Sequence, residues 1–179
     1  MIIRKARLED ADALAEIHVR AWQSAYRGMM SDAFLDGLSV TDRAAGWRTW
    51  LVSEDVQRVL VVEPGQLAEP GLAGFCVFGK SRDADLANSN AAELYAINVH
   101  PQYWRHGYGS SLCNEVINQV VSAAWSALSL WVIRDNHRAR EFYQAMGFVA
   151  DGIERIDSGL IGESLHELRY VRTITDARV

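Results

Sequence analysis

The first run, Ile2-Ile3-Arg4-Lys5-Ala6-Arg7, reads as a strand over residues 2–7. Asp10 stands where a helix cap belongs. Behind it Leu14, Ile17, Ala21 and Ala25 recur at helical spacing and predict an apolar face. Trp22 and Tyr26 lie one turn apart near that helix's end, and Arg27-Gly28 breaks it. Residues 31–53 form a second helical region, interrupted at Gly37-Leu38-Ser39. Its later half, 42–51, carries Trp47 and Trp50 on adjacent turns, where core packing is the default reading. Residues 56–63 and 72–79 are β-branched and strand-like, with Pro64-Gly65 ending the first, so they predict an antiparallel pair.

Residues 80–92 are polar, with Asp83, Asp85, Asn88, Ser89 and Asn90, and read as a loop. A strand follows over 93–99, ended by Pro101. Leu112, Cys113, Val116, Ile117, Val120 and Val121 then make a wide apolar helix stripe. The continuous apolar run 127–133 is a buried strand. Residues 137–146 form a short helix closed by Gly147, and 148–156 and 164–173 finish the chain as strands. The order is β-α-α-β-β-β-α-β-α-β-β. It predicts one α/β domain over 1–179 with a mixed sheet and no internal repeat. Strands 93–99 and 127–133, joined by a helix, should be parallel neighbours.

Length and composition narrow this picture. A chain of 179 residues is long enough to bury a core without disulfides or metals. It is 49% hydrophobic and 23% charged with mean hydropathy −0.08, which excludes a disordered or disulfide-scaffold chain. Lys plus Arg number 18 against 23 Asp plus Glu, a net charge of −5. That balance argues against a nucleic-acid partner, which needs a basic surface. Cys76 and Cys113 sit in apolar runs and read as buried thiols of a reducing, cytoplasmic compartment. Residues 116–133 lack charge over 18 positions, close to a membrane span. Asn118, Gln119, Ser122, Ser126 and Ser129 interrupt them, and the period changes from helix to strand, so no membrane span is expected. His18, His137 and His166 are scattered, and no metal site is expected.

Two segments carry chemistry. The first is Pro101-Gln102-Tyr103-Trp104-Arg105-His106-Gly107-Tyr108-Gly109-Ser110, a glycine-rich turn from a strand into a helix. Such a turn exposes successive backbone amides at a positive helix end, a ready anion site for which pyrophosphate is the usual guest. A dinucleotide fingerprint fails, because Leu112 stands where a third glycine belongs and the turn follows the fourth strand. A P-loop fails because no Gly-Lys-Ser/Thr follows. The second segment is Asn136-His137-Arg138-Ala139-Arg140-Glu141-Phe142-Tyr143, ending in Gly147-Phe148. Asn136 and Tyr143 lie two helical turns apart on one face, with small Ala139 between them.

Together these segments resemble the GCN5-related N-acetyltransferase (GNAT) family. The resemblance spans the element order and is sharpest over residues 93–148. Trp104 departs from it, since the family often has Gln or Arg there. The resemblance implies a mostly antiparallel sheet with a central parallel pair splayed around the cofactor and helices on both faces. It implies acetyl-CoA as donor, a primary amine of a small molecule or peptide as acceptor, and direct attack in a ternary complex. A homodimer is a family habit.

The same resemblance assigns residues. Ile97, Asn98 and Val99 would pair with the pantetheine arm, and the Val99 amide would polarise the thioester carbonyl. Amides of Arg105, His106, Gly107, Tyr108, Gly109 and Ser110 would hold the pyrophosphate. Asn136, Ala139 and Tyr143 would complete the donor site. Glu93 matches the family's frequent base and Tyr143 its general acid. Trp22, Tyr26 and Glu93 would line the acceptor site. His100 is an alternative base, although strand alternation puts it on the opposite face from Glu93. A non-catalytic acyl-CoA sensor on the same fold is the competing reading.

Overall fold

The computed structural model describes residues 1–53, 58–65, 71–86, 89–158 and 164–174. Among these described residues seven strands form a mixed sheet in the order β1-β2-β3-β4-β5-β7-β6, numbered along the chain. The chain falls into two compact units, Met1–Val77 with Ala96–Glu115 and Phe78–Tyr95 with Val116–Val179.

In the first unit β1 (Ile2–Lys5) pairs antiparallel with β2 (Arg58–Glu63), from Ile2↔Glu63 to Lys5↔Leu60. Helix α1 (Ala11–Ala25) buries Leu14, Ile17 and Ala21 of the predicted face together with Ala15 and Val19, while Ala25, in the last turn, is only half-buried. Helix α3 (Val40–Leu51) packs along it. The predicted break at 37–39 separates α3 from the short α2 (Asp32–Asp36). Serines start both helices: Ser31 accepts from the Phe34 amide and Ser39 from the Asp42 amide.

Asp10 does not cap α1 as the sequence suggests. Its carboxylate accepts from Arg4 at 2.7 and 2.9 Å and from the Arg7 amide at 2.7 Å. A bidentate guanidinium pair is a stronger partner than one neutral helix amide.

The second unit holds the parallel pair. Strand β4 (Ala91–Val99) matches β5 (Ala127–Ile133) at Ala91↔Ala127, Ala92↔Leu128 and Glu93↔Ser129. β5 pairs along its length with antiparallel β7 (Leu165–Thr173), from Ala127↔Thr173 to Ile133↔Glu167. β7 then pairs with β6 (Val149–Asp157), with a register irregularity between Ala150 and Glu154. Gly152 sits inside that irregularity at φ +87°, a backbone state open to glycine.

Strand β3 (Gly74–Lys80) and helix α4 (Tyr108–Ser122) contribute residues to both units. On α4 Leu112, Cys113, Val116, Ile117 and Val120 are buried, but Val121 is 44% exposed and leaves the predicted stripe. Residues 116–133 divide between the end of α4 and β5. Among the described residues no helix is long and apolar enough to cross a membrane.

Among the titratable groups of the first unit, His18 lacks a polar partner. The His18 ring sits 5.0 Å from Trp22, 5.9 Å from Phe75 and 6.2 Å from Trp47, between centroids. Both its ring nitrogens are buried without a hydrogen-bond partner. Burial pushes its pKa down to about 3, because an imidazolium there would lose its hydration. The unfolded chain therefore binds this proton from about pH 6.5 downward while the native chain does not. We expect His18 to remove about 1.4 kcal/mol of stability per pH unit as pH falls from about 6 to 4.5. Urea midpoints across that range should flatten in His18→Leu; an unchanged slope would assign the acid sensitivity elsewhere.

Candidate active site

The turn after β4 is built to present amides. His100 starts a 3-10 turn over Pro101–Tyr103, and its ring accepts from the Gln102 amide at 3.4 Å. Proline suits such a start, where its missing N–H costs nothing. Trp104 Nε1 then donates to the Val99 carbonyl at 2.7 Å and ties the turn back to the strand end. This is what the departure at Trp104 does here: the indole braces the turn. Arg105 and Gly107 follow with φ of +65° and +83°. Helix α4 opens at Tyr108, and its first intrahelical bond runs from the Ser111 amide to the Gly107 carbonyl. The amides of Tyr108, Gly109 and Ser110 thus have no carbonyl one turn back, which is the anion-binding end of a helix. Arg105, His106 and Gly107 are exposed, and no atom lies within 4 Å of where a Gly107 Cβ would stand.

The strand end before the turn is equally constrained. Asn98 is buried, and Ile97 and Val99 are half-buried. A Cβ on Gly74 would come within 2.7 Å of the Asn98 carbonyl, so glycine there permits the close approach of β3 to β4. His100 hydrogen-bonds within its own turn, and burial lowers its pKa.

The proposed acceptor aromatics of the first unit form one layer. Trp22 stacks edge-on to Tyr26 at 5.3 Å and lies 6.4 Å from Phe34. Both Trp22 and Tyr26 are half-buried, with surface left to offer. Trp47, by contrast, is buried and packs 5.0 Å from Phe75. It belongs to the core, as its spacing predicts.

In the second unit Glu93 on β4 is 1% exposed. One residue supplies all its observed partners. The Arg82 amide donates to Oε2 at 2.9 Å, Arg82 Nε to Oε2 at 3.2 Å, and Arg82 Nη2 to Oε1 at 2.5 Å. Nothing in the sequence marks Arg82, a single arginine in a polar stretch. The same unit places Asn136 and Tyr143 on and before α5 (His137–Ala145). Asn136 Oδ1 caps the helix by accepting from the Ala139 amide at 3.1 Å, which leaves Nδ2 outside the cap. Tyr143 is 9% exposed, held edge-on between Phe142 at 5.2 Å and Phe148 at 5.9 Å. The predicted donor residues thus form a strand-and-turn set in the first unit and a helix set in the second. Among the described residues no group of three His, Cys, Asp or Glu side chains is placed to hold a metal ion.

The GNAT acetyltransferase family pattern matches residues 11–148, which span all these elements. The chain belongs to the GNAT family. Among its relatives is the uncharacterized N-acetyltransferase YuaI of Bacillus subtilis, 27% identical over 143 residues, covering 80% of this chain and 77% of that one. A probable N-acetyltransferase of Mycobacterium tuberculosis is 24% identical over 161 residues, covering 84% and 80%. The fold resembles the crystal structure of the PaiA N-acetyltransferase from Thermoplasma acidophilum in complex with coenzyme A. The TM-score is 0.74 at 20% identity, over 97% of this chain and 98% of that one. YncA of Salmonella typhimurium, a putative acetyltransferase solved with acetyl-CoA, superposes with TM-score 0.69 at 19% identity over 100% and 96%. The mixed sheet with its parallel pair is therefore the GNAT sheet, as the resemblance implied.

Proposed function

We propose that this GNAT protein transfers the acetyl group of acetyl-CoA to a primary amine of a small molecule or peptide, by direct attack within a ternary complex. The observation that carries the reading is the braced turn from Val99 to Ser110, whose helix-end amides at Tyr108, Gly109 and Ser110 have no carbonyl one turn back. A pyrophosphate suits that end in charge and size. The amides of residues 105–110 hold it, the β4 end at Ile97, Asn98 and Val99 pairs with the pantetheine arm, and Asn136 and Ala139 complete the donor site. A lysine-like acceptor ammonium, with pKa near about 10.4, must lose a proton before its nitrogen attacks. Glu93 takes that proton. The nitrogen bonds to the thioester carbon, the carbon–sulfur bond breaks as Tyr143 gives its proton to the departing thiolate, and the second proton leaving the acylated nitrogen restores the Tyr143 phenol by way of solvent. The Val99 amide stabilises the carbonyl oxygen. Cys113, buried in the α4 stripe, takes no part.

Calorimetry with acetyl-CoA, followed by thiol release against an amine panel, tests this. Binding plus amine-dependent release supports it, and no binding ends it. The Arg82 pair on Glu93 favours a second reading, a non-catalytic acyl-CoA sensor. That reading predicts binding without transfer to any amine.

A smaller effect tests the turn itself. Gly107→Ala places an L residue in the left-handed region, at a cost of about 1–2 kcal/mol. Its Cβ meets open space, so the cost is conformational. The exposed free turn escapes that cost by relaxing away from the left-handed state, so the cost falls on binding: we expect acetyl-CoA to bind about 5- to 30-fold more weakly, with the thermal midpoint of the free protein nearly unchanged. Equal affinity would remove the turn from the donor site.

A further inference from the structure

The second unit contains two arginines with contrasting settings. Arg169 on β7 is 5% exposed in its side chain and is closed in by Asp83, Asp85 and Asp151. Arg82 is 59% exposed in its side chain, while its partner Glu93 is 2% exposed. An ion pair built for packing would bury both groups. Here only the carboxylate is buried, and an exposed cation reaches in from solvent to meet it. The guanidinium carbon lies 4.3 Å from the centroid of the Tyr95 ring, so the cation rests on an aromatic face. That ring is fixed in turn, because Tyr95 Oη donates to the Lys80 carbonyl at 2.5 Å.

A buried carboxylate beside an aromatic face is a receptor for a cation. The bond from the Arg82 backbone amide to Glu93 Oε2 does not depend on the side chain. If the guanidinium swings away, the carboxylate keeps that donor and exchanges one cation for another. An anionic ligand has no such exchange available, because it would meet Glu93 instead of replacing its partner.

We propose that Arg82 is a displaceable internal cation. The acceptor's ammonium takes its place on Glu93 above the Tyr95 ring, so the preferred acceptor is a cationic alkylamine and Arg82 sets its affinity. This inference rests on the acetyltransferase reading for the word acceptor, and it supplies the step by which Glu93 becomes accessible to the amine. Arg82 is a specificity-determining residue in this scheme, because it competes with the substrate and never touches the reacting carbon.

The experiment is an NMR titration of the CoA-saturated protein with butylammonium, compared among wild type, Arg82→Gln, Arg82→Lys and the double variant Arg82→Gln with Glu93→Gln. Removing the internal cation should tighten butylammonium at least fivefold, Arg82→Lys should stay near wild type, and the double variant should lose the gain. A neutral amine such as aniline should bind all four alike. Equal or weaker butylammonium binding to Arg82→Gln overturns the proposal, as does a gain that survives loss of the carboxylate. A merely structural Arg82 would lower the thermal midpoint and weaken both probes together, which also overturns it. Acetyl transfer is scored separately. Tighter butylammonium binding with no transfer to any amine leaves the cation site standing and removes the acetyltransferase reading.

Discussion

Replacing Arg169 with Met should lower stability by about 3 kcal/mol, near the low end for breaking a buried ion pair. The guanidinium donates from Nε to Asp151 at 2.7 Å, from Nη2 to Asp85 at 2.7 Å, and from Nη1 to Asp85 and Asp83 at 2.8 and 3.3 Å. Its pKa is raised well above the ordinary arginine range by these carboxylates, foremost Asp85. Asp85 is held below the usual carboxylate range by the same bond. The proton linkage has one sign for such an acid. Its contribution is complete above the unfolded carboxylate pKa and is lost as pH falls below it.

Methionine keeps much of the stem's packing and removes the charge, so Asp83, Asp85 and Asp151 then repel one another. Asp83 also accepts from Trp131 Nε1 at 3.1 Å, so the loss loosens an indole on the neighbouring strand. For a chain of this length, about 3 kcal/mol corresponds to a fall of roughly 6–12 °C in Tm. Adding Asp83→Asn and Asp151→Asn to the Met variant should restore part of it. A fall below about 2 °C would show that the three acids are well solvated without Arg169 and that the hub is ornamental.

These two arginines also show where reading the chain ends. Strand 127–133 is legible to the residue, because a run buried on both faces is apolar at nearly every position. The turn and α5 were legible because local backbone chemistry demands proline and glycine in the turn and Gly147 after the helix, at short, fixed spacing; the Asn136 cap came only with the structure. Arg169 lies 84 residues from Asp85, and nothing local marks the pair. Glu93 was visible as a strand acid. Its burial and its occupied oxygens depend on a loop residue 11 positions earlier, and loops follow no period. Asp10 misleads for the same reason: its position fits a cap, but Arg4 reaches it from β1. Val121 misleads in a simpler way, because a wide stripe does not say where the packed partner ends.

The largest expected effect on turnover belongs to Tyr143→Phe. Phenylalanine keeps the ring between Phe142 and Phe148, so folding should change little. In the proposed mechanism the variant loses, with the hydroxyl, the proton for the departing thiolate. General acid catalysis contributes about 10²–10⁴-fold in rate, so kcat should fall at least about 10²-fold. The KM for acetyl-CoA should move less than about threefold, because in the proposed site backbone amides and the strand end carry most of the hold on the donor and the substitution keeps the aromatic ring. A thiol of lower pKa leaves without needing a proton. An acetyl donor with such a thiol should therefore narrow the gap between variant and wild type. A structural role for Tyr143 would slow both donors by the same factor, and the donor comparison separates the two. If kcat is unchanged with acetyl-CoA, water supplies the proton and α5 contributes position alone, through Asn136 and Ala139.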